Sequence, residues 1–176
     1  SDQEDISNIL QVSRKTAVRE TSEEIRIKLL PKDLVPFSHW TTPEGVKKRF
    51  STWFFVAHVD SGSEVLVDGG EITDYRWIKA NTPISELNGE SGPIRLTPPT
   101  FISLLELSKF SNSYSLLEAL HAREPIFFEP KMISIEDGLC FLYREDIAYN
   151  NLALDVAGIR HRTYMRKNVL EYIHES

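Results

Sequence analysis

Cysteine is almost missing from this chain of 176 residues: Cys140 stands alone. That excludes an internal disulfide and fits a reducing compartment. Long apolar runs are missing too, since none approaches the roughly 20 residues of a membrane-spanning helix. No signal peptide is visible, and the final His174-Glu175-Ser176 is not a peroxisomal tail of the Ser-Lys-Leu type. The expected setting is intracellular and cytoplasmic, with no membrane partner. Positive charge is in deficit: 20 Lys and Arg face 26 Asp and Glu, for a net charge of −6. This leaves no footprint for general nucleic-acid binding, although a local basic pocket for a small anion stays open. Zinc-ligand spacings, a P-loop and a dinucleotide-binding fingerprint are absent as well.

The residues that are there suffice for a core. Hydrophobic residues make up 41% and charged ones 26%, values of an ordinary globular chain rather than a disordered one. The length suits one domain, or one domain with an appendage, and is compatible with a homodimer.

Periodicity predicts a helix over about 5–27, where Ile6, Ile9, Leu10, Ala17, Val18, Thr21 and Ile25 form an apolar stripe at spacings of three and four. "DLVPFSHW" reads as a short strand and "TPEG" as a turn. "RFSTWFFVAHV", Arg49 to Val59, is apolar on both faces and reads as a central strand. "DSGS" is a loop, and short strands are expected around Gly69-Gly70. After Leu96 the composition shifts. "TPPTFISLLELSKF" predicts a helix with Thr97 as cap and prolines in its first turn. "SLLEALHA" repeats the signal, with Ser115 and Glu118 spaced as a capping box. "KMISI", "EDG" and "LCFLY" predict a β-hairpin, as do "RHRTYMR" and "VLEYIHE". The class is α+β.

Within the first helix, Glu20, Glu23 and Glu24 crowd together. At about 100° per residue Glu20 and Glu24 lie roughly 40° apart around the axis, and Glu20 and Glu23 roughly 60°, so all three reach one ridge. Salt bridges from Arg19 to Glu23, Glu23 to Arg26 and Glu24 to Lys28 explain part of the crowding as a solvated face. Glu20 has Thr16 and Ala17 behind it and two carboxylates ahead, so on this reading it lacks a cation. A hard divalent ion such as Mg²⁺ would turn the repulsion into attraction, because it takes oxygen ligands and tolerates several carboxylates. Both readings are open at this point. Lys47, Lys48 and Arg49 form a basic run beside a turn. An ordinary solvated loop and a contact for an anionic ligand are equal readings of this run; for the second, Arg49, followed by Lys48, is the candidate because a guanidinium matches phosphate with forked donors. Arg160, His161 and Arg162 are read as solvated strand residues ahead of a distant phosphate contact. His58, Trp40, Trp53 and Trp77 are read as core, and Cys140 as a structural thiol.

Arg19-Glu20-Thr21-Ser22-Glu23-Glu24 resembles the Arg-Glu-x-x-Glu-Glu core of the Nudix hydrolase box. The glycine, glutamate and second glycine of the full box fall at Asp5, Gln11 and Arg26, which depart from it. "HWTTPEGVKKRFSTWFFVA", "GGEITDYRW" and "LTPPTF" look like successive blocks of one Nudix branch, the acyl-coenzyme A diphosphatase-like group related to peroxisomal coenzyme A hydrolases. "EPKMISIEDGLCFLY" and "GIRHRTYM" look like its tail. That branch often carries an insertion ahead of the helix, which would place the matching glycines upstream of Ser1. The resemblance implies a Nudix α/β/α sandwich with a mixed sheet, N-terminally truncated. It implies a Nudix core over 1–96 and a C-terminal extension of helices and β-hairpins over 97–176, packed on that core. It implies Mg²⁺ or Mn²⁺ held by Glu20, Glu23 and Glu24 over a substrate diphosphate, with Glu71 as a further ligand or as the base for water, and Arg19 orienting the glutamates by ion pairing. The implied reaction is hydrolysis of coenzyme A or an acyl-coenzyme A to adenosine 3′,5′-bisphosphate and a (acyl-)4′-phosphopantetheine. Two rivals stand beside it: a Nudix hydrolase of ADP-ribose or a dinucleotide, and a Nudix-like ligand-binding module without turnover.

Overall fold

Neither glycine nor proline interrupts residues 2–25, and that stretch forms one helix, α1 (Asp2–Ile25). The computed structural model describes residues 2–60, 62–70, 72–79, 82, 95–167 and 169–175, with side chains from residue 5 onward. The expected apolar stripe is covered only in part: Ile6 and Ile9 are 47% and 55% exposed, whereas Leu10, Ala17, Val18, Thr21 and Ile25 are half-buried. A 3₁₀ turn (Pro31–Asp33) leads to β1 (Val35–Thr41), β2 spans Ser51–Val56, and after α2 (Pro98–Ser108) and α3 (Ser113–His121) comes β3 (Ile126–Phe128). These strands form a mixed three-stranded sheet in the order β2-β1-β3. A four-stranded antiparallel sheet follows in the order β4 (Lys131–Ile135), β5 (Gly138–Leu142), β6 (His161–Arg166), β7 (Val169–His174). The α+β class and both C-terminal hairpins are as expected.

Several local expectations are overturned. β2 is shorter than Arg49–Val59 and lies at a sheet edge rather than the centre, with no fully buried residue; its aromatic content reflects a half-buried face. Among the described residues no strand surrounds Gly69-Gly70. Asp68 folds that segment into a turn instead, its Oδ1 accepting the amides of Gly70 at 3.0 Å and Ile72 at 3.2 Å. Ser115 lies inside α3, which starts at Ser113, so it cannot be the N-cap of a capping box. Thr97 does precede α2, in the extended conformation of an N-cap, but its hydroxyl meets that of Thr100 at 3.2 Å. Trp40 is buried as expected, while Trp77 is 63% exposed and His58 lies exposed beyond the end of β2.

The chain divides into two compact units that interleave along the sequence: Ser1–Ser38, Trp53–Ile78 and Ser113–Pro125 in the first; His39–Thr52, Lys79–Asn112 and Ile126–Ser176 in the second. In the first, Ile27, Leu34, Val35, Phe37, Val65 and Leu120 are buried. In the second, Cys140, Leu142 and Ala148 form a fully enclosed nucleus. Beside it Trp40 stacks on Phe128 with centroids 3.9 Å apart, and both meet Tyr143 edge-on. Glu136 and Asp137 alone join β4 to β5. A Cβ at the next residue, Gly138, would lie 2.1 Å from the Met165 carbonyl oxygen, so only glycine lets β5 approach β6 there. Burial pushes the Cys140 thiol up to about 11, which keeps it protonated and inert, as its apolar strand suggested.

Candidate functional site

The helix brings Glu20, Glu23 and Glu24 onto its last turns, and Arg19 organises two of them. Arg19 Nη1 donates to Glu23 Oε2 at 2.7 Å, and Nη2 pairs with Glu20. The Arg19–Glu23 pair is the one expected at i, i+4. The expectation that Glu20 has no cation is overturned: Arg19, its immediate neighbour, spans both carboxylates with one fork. All three side chains are 40–58% exposed, so the pairs themselves contribute only about 0–1 kcal/mol each. Carboxylate oxygens are the donors that Mg²⁺ or Mn²⁺ takes. Among the described residues, however, no three His, Cys, Asp or Glu side chains are gathered to hold an ion. Glu71 lies outside the described residues.

The end of α1 is tied to the double-glycine segment. Two of its terminal carbonyls find partners there: Leu66 N–H donates to Ile25 O at 3.2 Å and Asp68 N–H to Glu24 O at 2.9 Å. Asp68, which the sequence reading did not single out, thereby holds both the turn and the helix end; an aspartate two residues ahead of a glycine is its only local signal. Arg26, just past the helix, has φ +60°. This is the left-handed position that favours glycine, and it is the position where the resemblance wants one. An L-residue there costs about 1–2 kcal/mol. Glycine at the site would return part of that to a looser unfolded chain. Arg26→Gly should therefore stabilise the fold by about 1 kcal/mol, with a rise in melting temperature of roughly 2–4 °C. A lower melting temperature would show that the Arg26 side chain itself holds the helix end.

Lys48 and Arg49 belong to the second unit. Both are exposed, and Arg49 sits two residues ahead of β2 with its Nε donating to Thr42 O at 3.3 Å. Arg49 lines a cleft of about 390 Å³ with Glu44, Glu129, Lys131 and Tyr149. Two carboxylates therefore share the cleft with its two cations.

Arg162 and His161 are not solvated. Arg162 is fully buried and grips Asp146 with two bonds of 2.7 Å, from Nε to Oδ2 and from Nη2 to Oδ1. The amides of His161 and Ala148 donate to the same carboxylate at 2.8 Å each. Burial alone would raise the Asp146 carboxyl, but these four donors outweigh it and hold the group below the usual carboxylate range. His161 Nδ1 lies 2.6 Å from Glu145 and Nε2 lies 2.7 Å from the Tyr172 hydroxyl. A carboxylate only accepts, so Nδ1 carries the proton and donates, and Nε2 accepts from Tyr172. The signal in the sequence was the acidic pair Glu145-Asp146 after one strand, facing Arg-His-Arg at the start of the next.

Burial lowers the pKa of His161, and its stacking on His174 at 4.0 Å adds a second charge that opposes protonation; the hydrogen bond to Glu145 only partly offsets both. The unfolded chain therefore takes up a proton near pH 6.5 that the folded one refuses. Stability is complete above that pH and falls as pH drops below it. His39, also lowered mainly by burial, acts in the same direction. Urea unfolding should give a smaller free energy at pH 5 than at pH 7.5, and His161→Gln should flatten that slope. A slope left unchanged by the substitution would assign the effect elsewhere.

No protein-family model matches this chain, and no solved structure matches it. Among curated proteins, the acyl-coenzyme A diphosphatase NUDT19 of Xenopus laevis is 35% identical over 83 residues, which are 44% of this chain and 21% of that protein. The chain thus matches about a fifth of the length of this curated relative. The similarity supports a distant Nudix relationship, and the α+β architecture is compatible with it. Among the described residues no helix is long and apolar enough to cross a membrane.

Proposed function

We propose that this chain forms part of a Nudix-type hydrolase that cleaves a phosphoanhydride bond in a nucleoside diphosphate derivative, with coenzyme A or an acyl-coenzyme A as substrate. The 83-residue similarity to an acyl-coenzyme A diphosphatase carries this reading. The Arg19–Glu20–Glu23 arrangement agrees with it, because it keeps a carboxylate ridge in register for a cation to compete for. Glu20, Glu23 and Glu24 would hold Mg²⁺ or Mn²⁺, and the ion would neutralise diphosphate oxygens and acidify a bound water. Arg19 positions two of the carboxylates. Glu71, or a helix glutamate not committed to the ion, would accept the proton of the attacking water. Arg49, with Lys48 beside it, would contact an anionic group of a ligand.

The experiment is a substrate panel of coenzyme A, an acyl-coenzyme A, ADP-ribose and a dinucleotide, each with Mg²⁺ and with Mn²⁺. Release of a 4′-phosphopantetheine from the first two supports the proposal. Turnover of ADP-ribose or the dinucleotide alone transfers the substrate to the first rival. The departures at Gln11 and Arg26 keep the binding module as the second rival, and it would show as a ligand-induced thermal shift with no product under either metal.

A further inference from the structure

Two cavities in the first unit share a wall. The larger, of about 690 Å³, is lined by Arg26, Lys28, Lys32 and His121 among others. The smaller, of about 300 Å³, is lined by Val56, Ala57, Ser113 and Leu116 among others. His58, Val59 and Leu117 line both, so a charged chamber adjoins a mainly apolar groove. Both volumes fall in the range of small-molecule sites, about 300–1,000 Å³.

Three cations and three carboxylates line the chamber. Arg26, Lys28 and Lys32 come from the stretch that leaves α1, and among the described residues none of them has an ion-pair partner. Asp33, from the same stretch, accepts the Leu30 amide at 2.8 Å, and Asp60 and Glu64 come from the segment after β2. The wall made by residues 26–32 therefore presents three cations. Arg26 adds an independent sign of use: it holds a backbone conformation that glycine would adopt freely, and its side chain lines the chamber. Strain of this kind persists where a side chain has a task. A guanidinium takes phosphate oxygens in pairs, and two ammonium groups beside it add point charges. The groove is lined mainly by Val56, Ala57, Val59, Leu116 and Leu117, with His58 and Ser113 as its polar members, and it suits an alkyl chain.

We propose that these adjoining cavities bind an amphiphilic phosphate monoester. Its phosphate lies against Arg26, Lys28 and Lys32, and its apolar tail of several carbons lies in the groove between the end of β2 and α3. Such a ligand has no anhydride bond and needs no metal, so its binding is testable apart from hydrolysis, although an acyl-4′-phosphopantetheine product would itself belong to this ligand class.

The test is isothermal titration of the whole chain, without metal, using n-octyl phosphate, ethyl phosphate, inorganic phosphate and 1-octanol. Each buried methylene is worth roughly a fourfold gain in affinity, so octyl phosphate should bind at least tenfold more tightly than each of the others. Arg26→Gly should weaken octyl phosphate about tenfold while the protein melts no lower than the parent, which separates lost binding from lost folding. Leu116→Ala should shrink the gain of octyl over ethyl phosphate. Octyl phosphate binding within threefold of ethyl phosphate or of octanol overturns the proposal. So does an Arg26→Gly affinity within twofold of the parent. Failure of the substrate panel described above leaves these binding results untouched, and the reverse also holds.

Discussion

Asp146→Ala should destabilise the protein by about 3–5 kcal/mol, the loss typical of breaking a buried ion pair on one side. The substitution strands Arg162, whose side chain is wholly inaccessible to solvent, and it also removes the acceptor for the His161 and Ala148 amides. Against a total folding free energy of about 5–15 kcal/mol, that is a third or more of the total over most of the range, and at its lower end it leaves little net stability. The double substitution Asp146→Leu with Arg162→Met removes both charges and should recover a large part of the loss, since apolar replacement of a buried pair is often neutral or stabilising. Urea unfolding of the single and double variants gives both numbers. A single variant within 1 kcal/mol of the parent would mean that water reaches Arg162 as soon as its partner is gone.

In the active protein, Glu23→Gln and Glu24→Gln should each lower turnover by roughly 10²–10³-fold, the scale seen when one charge-stabilising group is removed from a reacting centre. Both changes replace a charged oxygen by a neutral amide of the same shape. Glu23 is 58% exposed, so unfolding free energy should move by no more than about 0.5 kcal/mol. A second readout checks the cause: Mn²⁺ should raise the melting temperature of the parent and raise it less in either variant. Activity within a few-fold of the parent would remove these carboxylates from the chemistry. Lost activity with an undiminished Mn²⁺ response would make them groups that position or deprotonate rather than metal ligands.

Local pattern carried much of the fold into the sequence. The breaker-free run of α1, the prolines that open α2 and the Glu-Asp-Gly turn between β4 and β5 each act through neighbours a few residues apart, and each element stands where it was expected. β2 was misread because apolar residues on both faces do not distinguish a central strand from an edge strand; that depends on which strands pair, and here β1 takes the middle. The turn at Asp68 was missed because a single carboxylate replaces the expected ladder. The glutamate ridge was legible, since helical angles alone place three residues on one side. Arg19 bridging Glu20 was not, because sequence spacing treats adjacent residues as pointing apart, while a long guanidinium side chain swings between both. His161 and Arg162 looked like surface charges in an exposed strand. Their burial depends on Glu145 and Asp146, which are 16 residues away in sequence.

The two amides that Leu66 and Asp68 lend to the last carbonyls of α1 have a mechanical meaning. A helix end normally frays by itself, but this one can loosen only if the double-glycine turn lets go as well. Any small molecule that levers the turn must therefore drag the acidic ridge with it, and any ion that clamps the ridge must quieten the turn. Amide exchange at Leu66 and Asp68 would register either event from outside the ridge itself.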